Sequence, residues 1–456
     1  MTHRRTLIRL AHPVYFELLA SVAAGIITMV WVARLGGDAV AAVAVATNVE
    51  NVALGVVLMA SSGTTVLVAR ARGADDPGAV RAAVRGGRLL GVLLVPPVAL
   101  GGYLLREPLA GLVLGGAGTP AHALATAYFA ISLPGTAVFF AITVVDGILK
   151  GAGDTRTPMR LAFLANGLIL VLDPLLIHAY GVEGAALATV IGRSVALAAG
   201  LLALRRNPLL RAARAARPSE GTTAALRRTV ATGLPMSVDF VVRMAGALAL
   251  VAVVARLGVT PVAAYGIATK AMYVATMAFY AVRQAAAIHT AHLLGGMGVP
   301  PARAESGSWG RDERREVGRQ ALFLGAAIGT TAAVLLLVTA GLVMRGFGAE
   351  PDVAAAGALF LRCLGPYLIL MGGFIALAGV FEGGGDSPRL ARITVLGVLA
   401  QLPLAHAFSG LGLPGICLAM ALAMAGQCAA LGMLHRRTAV PQPTGRLRAR
   451  SGSGSV

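Results

Sequence analysis

The sequence has 456 residues, of which 57% are hydrophobic and only 13% are charged. A soluble domain carries roughly a quarter of its residues as charged side chains, so this composition excludes a soluble globular protein. The formal net charge of +19 would suit a nucleic-acid-binding protein, but the positions of the basic residues exclude that class.

Twelve apolar segments follow one another along the chain, and most are long enough to cross a hydrocarbon core of roughly 30 Å. The first six are predicted at 12–33, 41–68, 89–105, 122–148, 159–180 and 183–204. The second six are predicted at 232–255, 262–293, 320–343, 354–380, 390–408 and 411–434. The sequence therefore predicts an all-α membrane protein with twelve transmembrane helices.

Lysine and arginine are concentrated on one side of these segments. The N-terminus, alternate loops and the C-terminal stretch carry 30 of them, whereas the opposite loops carry four, Arg34, Arg106, Arg256 and Arg345. Short basic loops stay in the cytoplasm, so both termini are predicted to be cytoplasmic. The excess positive charge is thus a topology signal, and no nucleic-acid partner is expected.

The chain contains an internal repeat. Residues 13–47 match residues 235–269 at 12 of 35 positions, and "GILKGAGDTRTPM" (147–159) recurs as "GVFEGGGDSPRL" (379–390). Each repeat holds six spans, and an even number of crossings gives both halves the same orientation. Such parallel repeats are typical of secondary transporters with a solute site between the halves. The predicted domains are an N-lobe (1–204), a cytoplasmic linker (205–231), a C-lobe (232–434) and a basic, disordered cytoplasmic tail (435–456).

Ionisable residues inside the spans are the candidates for function, because each costs at least ~2.5 kcal/mol to insert. The N-lobe has four such acids and one base, Glu17, Glu50, Asp146, Asp173 and Arg193. The C-lobe has one acid and four bases, Asp239, Arg243, Lys270, Arg283 and Arg362. We therefore expect three cavity bases either to pair with N-lobe acids in one access state or to receive an anionic group of the substrate: Arg243, Lys270 and Arg362. Asp239 and Arg243 also stand at i, i+4, a spacing that allows them to pair with each other.

Asp173 is the strongest candidate for a coupling site. It is predicted about 21 Å into the fifth span, at the level of Tyr128 and Thr189. A carboxylate beside two hydroxyl groups suits reversible protonation, because both protonation states find partners. The alternatives are a buried ion pair with Arg193 and a capping role before Pro174. The remaining acids are predicted to be gate or secondary acids: Glu17, Asp239, Asp146 and Glu50.

Several stretches resemble the multidrug and toxic compound extrusion (MATE) transporters: "VARLGGDAVAA" (32–42), "GTTVLVARARGADDPGAV" (63–80), "GILKGAGDTRTPM" and "LDPLLIHAYGVEGAALAT" (172–189). The resemblance covers nearly the whole chain and is weaker beyond residue 280. It implies two six-helix lobes around a V-shaped cavity. It also implies export of bulky amphipathic compounds, xenobiotics or natural products, driven by inward flow of H⁺ or Na⁺ across a bacterial inner membrane.

The resemblance also implies a set of cation-coupling residues. Tyr128, Asp173 and Thr189 fall on the family's N-lobe proton-site positions. The family's first-span aspartate corresponds to Thr28, and its asparagine before the fifth-span acid corresponds to Ile169, while Asn166 lies one turn earlier. With one carboxylate where the family pattern has two, H⁺ is the expected coupling ion in preference to Na⁺.

Three other functions compete with this prediction. The loop after the second span lacks the signature of a major facilitator, and "GADDPGA" supplies only one acidic motif where an intramembrane prenyltransferase needs two. A lipid-linked oligosaccharide flippase shares the fold and would suit the C-lobe bases. We expect a monomeric transporter without enzymatic activity, metal site or cofactor, whose partners are the coupling ion, membrane lipid and a small amphipathic substrate.

Overall fold

Fifteen α-helices and one short 3₁₀ turn make up the part of the chain that the computed structural model describes, residues 3–114, 119–298, 308–348 and 350–437. The first seven are α1 (His3–Ala33), α2 (Gly37–Gly73), α3 (Pro77–Leu104), α4 (Arg106–Leu114), α5 (Pro120–Gly151), α6 (Arg156–Tyr180) and α7 (Val182–Arg206). Next come α8 (Pro208–Ala215), α9 (Thr222–Ala255), α10 (Val259–Gly296), α11 (Ser308–Gly346) and α12 (Pro351–Cys363). The last are α13 (Gly365–Gly384), α14 (Ser387–Ala407), the 3₁₀ turn (Ser409–Leu411) and α15 (Gly412–Arg437).

Twelve helices in the described ranges are long and apolar enough to cross a membrane, which confirms the predicted fold class. One predicted span is wrong in detail, because residues 354–380 form two helices, α12 and α13. Pro366 lies in the first turn of α13. It has no N–H to bond to the preceding turn, and its ring disfavours helical geometry at the residue before it, so a new helix starts there.

The predicted linker is also more ordered than expected. The short helix α8 begins with an Asn207 side chain that accepts a hydrogen bond from the backbone N–H of Leu210, and α9 already starts at Thr222. The first ten residues of α9 therefore belong to the segment that was predicted to be a linker. Most of the predicted tail, residues 438–456, lies outside the described residues.

Helices α1–α7 form the N-lobe and α9–α15 form the C-lobe, and the two lobes touch at the end that carries the basic loops, here called the basic end. A side chain at Gly73 of α2 would collide with the carbonyl oxygen of His292 in α10. At the equivalent place of the repeat, a side chain at Gly295 would collide with the carbonyl oxygen of Arg70. Only glycine permits so close a crossing of α2 and α10.

The first helix of each lobe reaches into the other lobe. In α1, Leu7 is buried in the C-lobe core, and His3 lies 3.0 Å from the ring of His289. In α9, the hydroxyl group of Ser237 donates a hydrogen bond of 2.5 Å to the carbonyl oxygen of Gly55 in α2. Because α1 and α9 each contact both lobes, a movement of either helix alters contacts in both lobes.

Away from the basic end the lobes separate. Asn48 of α2 and Lys270 of α10 stand at equivalent repeat positions, and both are exposed. Around them each lobe packs on itself, the N-lobe through a cluster that includes Tyr128 and Ile177 and the C-lobe through one that includes Tyr265. The cleft between the lobes therefore opens toward the end opposite the basic loops.

Candidate functional site

Asp173 lies in the half of α6 that is farthest from the basic end, and its exposed fraction is 0%. The hydroxyl group of Thr28 in α1 donates a hydrogen bond of 2.5 Å to its Oδ2. The other oxygen, Oδ1, is buried and has no hydrogen-bond partner. A buried carboxylate with one free oxygen is costly unless that oxygen gains a partner, so this position favours uptake of a cation.

Tyr128 of α5 lies close enough to three charged groups for their charges to act on its hydroxyl group: Glu50, Arg193 and Asp173. Among the described residues, Asp173 makes no ion pair with Arg193, whose guanidinium lies 4.5 Å from the centre of the Phe139 ring instead. The alternative interpretation of Asp173 as the ion-pair partner of Arg193 is therefore not supported. Glu50 supplies a second carboxylate to this neighbourhood.

The other two predicted coupling residues make different contacts. The Thr189 hydroxyl donates to the carbonyl oxygen of Ala185 in its own helix, at 3.0 Å. Asn166 is exposed, and its Nδ2 lies 3.4 Å from the hydroxyl oxygen of Ser21 in α1. The structure thus joins Thr28 to Asp173 and places Tyr128 within range of the Asp173 charge. It leaves Thr189 bonded to its own backbone and places Asn166 beside the middle of α1.

A second polar cluster of the N-lobe lies nearer the basic end. Lys150, at the end of α5, donates a hydrogen bond of 2.6 Å to Glu17 of α1, and both residues are buried. Asp146 lies one turn before Lys150, and its charge interacts with those of both Glu17 and Lys150. We call Glu17, Asp146 and Lys150 the N-lobe triad.

The C-lobe has a cluster at the equivalent place. The Arg283 guanidinium of α10 lies 2.6 Å from Asp239 of α9 and 2.6 Å from Glu382 of α13. Asp239 also accepts hydrogen bonds from Arg243, at 3.1 Å, and from the hydroxyl group of Thr394 in α14, at 2.5 Å. We call Asp239, Arg243, Arg283 and Glu382 the C-lobe network; it holds two carboxylates and two guanidinium groups.

This network corrects the predicted charge asymmetry. Arg243 has a partner in its own lobe, as its i, i+4 spacing with Asp239 allowed, and so it is not an unpaired cavity base. Glu382 was left out of the acids within the spans because it lies at the edge of the tenth apolar segment, yet it is buried and paired with Arg283. Lys270 and Arg362 are both exposed, and the Lys270 ammonium lies 6.0 Å from the centre of the Tyr273 ring.

Sequence reasoning missed Lys150 as the partner of Glu17, although the repeat held a signal for it. The two glycine-rich motifs align Lys150 with Glu382, and the first helices align Glu17 with Asp239. The first aligned position is therefore basic in the N-lobe and acidic in the C-lobe. The second aligned position is acidic in both lobes. A buried charge needs compensation, so this reversal points to a third group in the C-lobe, which the structure identifies as Arg283.

Comparison with known proteins agrees with this architecture. The sequence profile of the MatE family matches residues 13–175 and 235–406. The chain is 23% identical over 413 residues to the probable multidrug resistance protein YpnP of Bacillus subtilis, covering 89% of this chain and 88% of that protein. It is 24% identical over 433 residues to the probable multidrug resistance protein NorM of Thermotoga maritima, covering 91% and 89%.

The fold itself is matched by solved structures. One is a multidrug resistance MATE family transporter of the MOP superfamily in an outward-facing conformation, with a TM-score of 0.86. The similarity covers 96% of both chains at 20% sequence identity. At this level of identity the comparison shows a shared fold.

Proposed function

The chain belongs to the MATE family, and on that basis we propose that it exports small amphipathic molecules in exchange for protons that enter through the N-lobe. It is a multi-pass membrane transporter and not an enzyme, as the family and its named relatives indicate. The proposal places it as a monomer in a bacterial inner membrane, with the basic end and both termini in the cytoplasm. The cleft would then open to the outside.

The observation that carries this proposal is the state of Asp173. Its carboxylate is fully buried, accepts one hydrogen bond and has one unpartnered oxygen. A proton bound at Oδ1 would remove the buried charge and leave Oδ2 available to Thr28. A site that is costly when empty and satisfied when protonated suits a coupling ion that must bind and leave in each cycle.

The path from proton binding to lobe movement runs through α1. The hydrogen bond between Thr28 and Asp173 attaches α1 to α6, while Leu7 and His3 attach the other end of α1 to the C-lobe. Protonation of Asp173 weakens the bond that Thr28 donates, because a neutral acceptor binds less strongly than a carboxylate. It thereby biases the position of a helix that both lobes share, and a shift between two arrangements needs such a differential contact.

The same geometry favours a proton over a sodium ion. A sodium site needs several oxygen ligands that converge on one point. Near Asp173 the hydroxyl group of Thr189 is directed to its own helix, and Asn166 lies beside Ser21. Glu50 adds a carboxylate near Tyr128, and Arg193 in the same neighbourhood offsets its charge. We therefore retain H⁺ as the coupling ion, with no other cofactor.

Substrate class follows from the family and from the state of the C-lobe bases. The relatives are named for multidrug resistance, and we propose amphipathic xenobiotics or natural products as substrates of this chain. The flippase alternative depended on unpaired bases in the cavity. Arg243 and Arg283 are neutralised within the C-lobe network, which leaves that alternative with two of the four C-lobe bases, Lys270 and Arg362.

Transport by purified protein in liposomes tests the proposal. A pH gradient, acidic outside, should drive export of a fluorescent amphipathic cation without ATP, and a protonophore should abolish it. Asp173→Asn should reduce export to the level of protein-free liposomes, whereas Asp38→Asn, an exposed acid near the same end, should leave it unchanged. Export by Asp173→Asn at the wild-type rate, or export driven by sodium at clamped pH, would contradict proton coupling at this residue.

A further inference from the structure

The N-lobe triad has more negative charge than its partners can neutralise. Glu17 and Lys150 have exposed fractions of only 8% and 7%, and a single lysine faces two carboxylates. Glu17 Oε2 and Asp146 Oδ1 are both buried without a hydrogen-bond partner. With both acids ionised, the triad would hold one uncompensated negative charge inside the lobe, which is costly.

One further cation lies near this end of α5, Arg72 of α2, whose guanidinium packs against Gly153 in the turn after the helix. Among the described residues, the charged groups that act on Asp146 are Glu17 and Lys150, and those that act on Lys150 are Glu17 and Asp146. By contrast, the C-lobe network balances its two carboxylates with two guanidinium groups. The triad therefore lacks one cation that its counterpart in the other lobe already contains.

A proton fits this place better than a metal ion. The described residues include no group of three or more metal-binding side chains, and the Lys150 ammonium lies 2.6 Å from one of the two acids. A proton needs only one carboxylate oxygen to bind and a second oxygen to accept the resulting O–H. Glu17 Oε2 and Asp146 Oδ1 are two unpartnered oxygens of interacting carboxylates.

We propose that the N-lobe triad is a second proton-binding site, separate from Asp173. One proton adds to a carboxylate oxygen of Glu17 or Asp146, and the charge of the triad changes from −1 to zero. The proposal rests on the assignment of a transporter, but it does not require that Asp173 carries the first proton.

The position of the triad on α1 indicates what a second proton would do. Glu17 and Thr28 are eleven residues apart on α1, about 16 Å along a helix. The triad attaches the basic half of α1 to α5, while Asp173 attaches the opposite half to α6. The helix that bridges the lobes is thus held by two titratable contacts, one near each side of the membrane, and two protons bind when both contacts are loaded.

Infrared difference spectroscopy of the full-length protein in liposomes, titrated with acid, counts protonated carboxylic acids by their carbonyl-stretch bands. Two bands are expected in the wild-type protein, one from Asp173 and one from the N-lobe triad; any band from Glu50, the other carboxylate near Tyr128, is identified by its loss in Glu50→Gln. Asp173→Asn should remove one band. Glu17→Gln and Asp146→Asn should each remove the other, because either substitution leaves the triad with one acid and one lysine.

Asp146→Asn is the decisive variant, because Asp146 makes no ion pair in the described structure and asparagine keeps its shape. The matched control is Glu382→Gln, which should remove no band, since that carboxylate already pairs with the Arg283 guanidinium at 2.6 Å. A spectrum of Asp146→Asn identical to wild type overturns the second site, as does loss of its band on adding Na⁺ at constant pH. Failure of Asp173→Asn to remove a band would count against the proposed coupling residue and leave the triad untouched.

Discussion

The N-lobe triad and the C-lobe network occupy equivalent places in the repeat but are built differently. In the N-lobe, Glu17 of the first helix pairs directly with Lys150 of α5. In the C-lobe both equivalent positions are acidic, and Arg283 of α10 lies between Asp239 and Glu382. The residue at the Arg283 position of the N-lobe is Ser61, which bonds to the carbonyl oxygen of Thr143.

The two clusters differ in charge balance, so that the N-lobe cluster can take up a proton and the C-lobe cluster has no need of one. The triad joins two helices and is short of one positive charge. The C-lobe network is neutral and joins three helices, α9, α10 and α13, and a hydrogen bond from Thr394 attaches it to α14. In the proposed cycle the triad is the element that binds a proton, and the C-lobe network is the element whose charges are already balanced.

The largest expected effect comes from removing the central cation of the C-lobe network. Arg283→Gln leaves Glu382 buried without a positive partner, and breaking a buried pair in this way costs about 3–5 kcal/mol. The free energy of unfolding in detergent should fall by that amount. Arg362→Gln, which removes an exposed arginine of the same lobe, is the control. Equal free energies of unfolding for the two variants would show that the C-lobe network does not stabilise the fold.

Replacing the C-lobe residues by their N-lobe counterparts should restore part of the lost free energy of unfolding. The double variant Arg283→Ser, Glu382→Lys places the two N-lobe residue types opposite Asp239. A double-mutant cycle should give a favourable coupling energy of about 0.5–3 kcal/mol between the two substitutions, because each alone leaves an unpaired buried charge. Strictly additive destabilisation would mean that the two lobes do not share one pairing geometry.

A smaller effect is expected in the outer half of the N-lobe, at the contact between α1 and α6. Thr28→Val removes a hydrogen bond to a carboxylate, a loss of about 1.5–3 kcal/mol. Removing a donor to the charged form of Asp173 stabilises its protonated form, so the pH profile of export should shift to higher pH. Thr189→Val removes only a bond to its own helix and should leave the profile in place. Equal shifts of the pH profile in the two variants would show that Thr189 also belongs to the coupling site.

The sequence could predict the lobes and their helices because hydropathy and the repeat act along the chain. It could also find Asp173, since one acid in a long apolar stretch stands out. The pairing of acids and bases across helices could not be found from any single stretch of sequence, and only the comparison of the two repeats held a signal for it. Lys150 lies at the end of its helix beside a glycine-rich turn and reads as part of a basic loop, and Glu382 lies in the matching turn. Whether such residues face the bundle depends on packing, which no local pattern encodes.

The smallest effect concerns the two bases that the C-lobe network leaves aside. Lys270 stands beside Tyr273 in the half of α10 where the lobes separate, and its repeat counterpart Asn48 is uncharged. Lys270 therefore offers the cleft a positive charge that the N-lobe does not match. Lys270→Gln should weaken export of a carboxylated dye by a factor of about two to five, the size of an exposed charge interaction, and leave export of a cationic dye unchanged. Arg362→Gln, at the other exposed base of this lobe, is the comparison and should change neither. If Lys270→Gln slows export of both dyes equally, Lys270 affects the shape of the cleft and does not select substrates by charge. The functional difference between the lobes would then be confined to the triad and the C-lobe network.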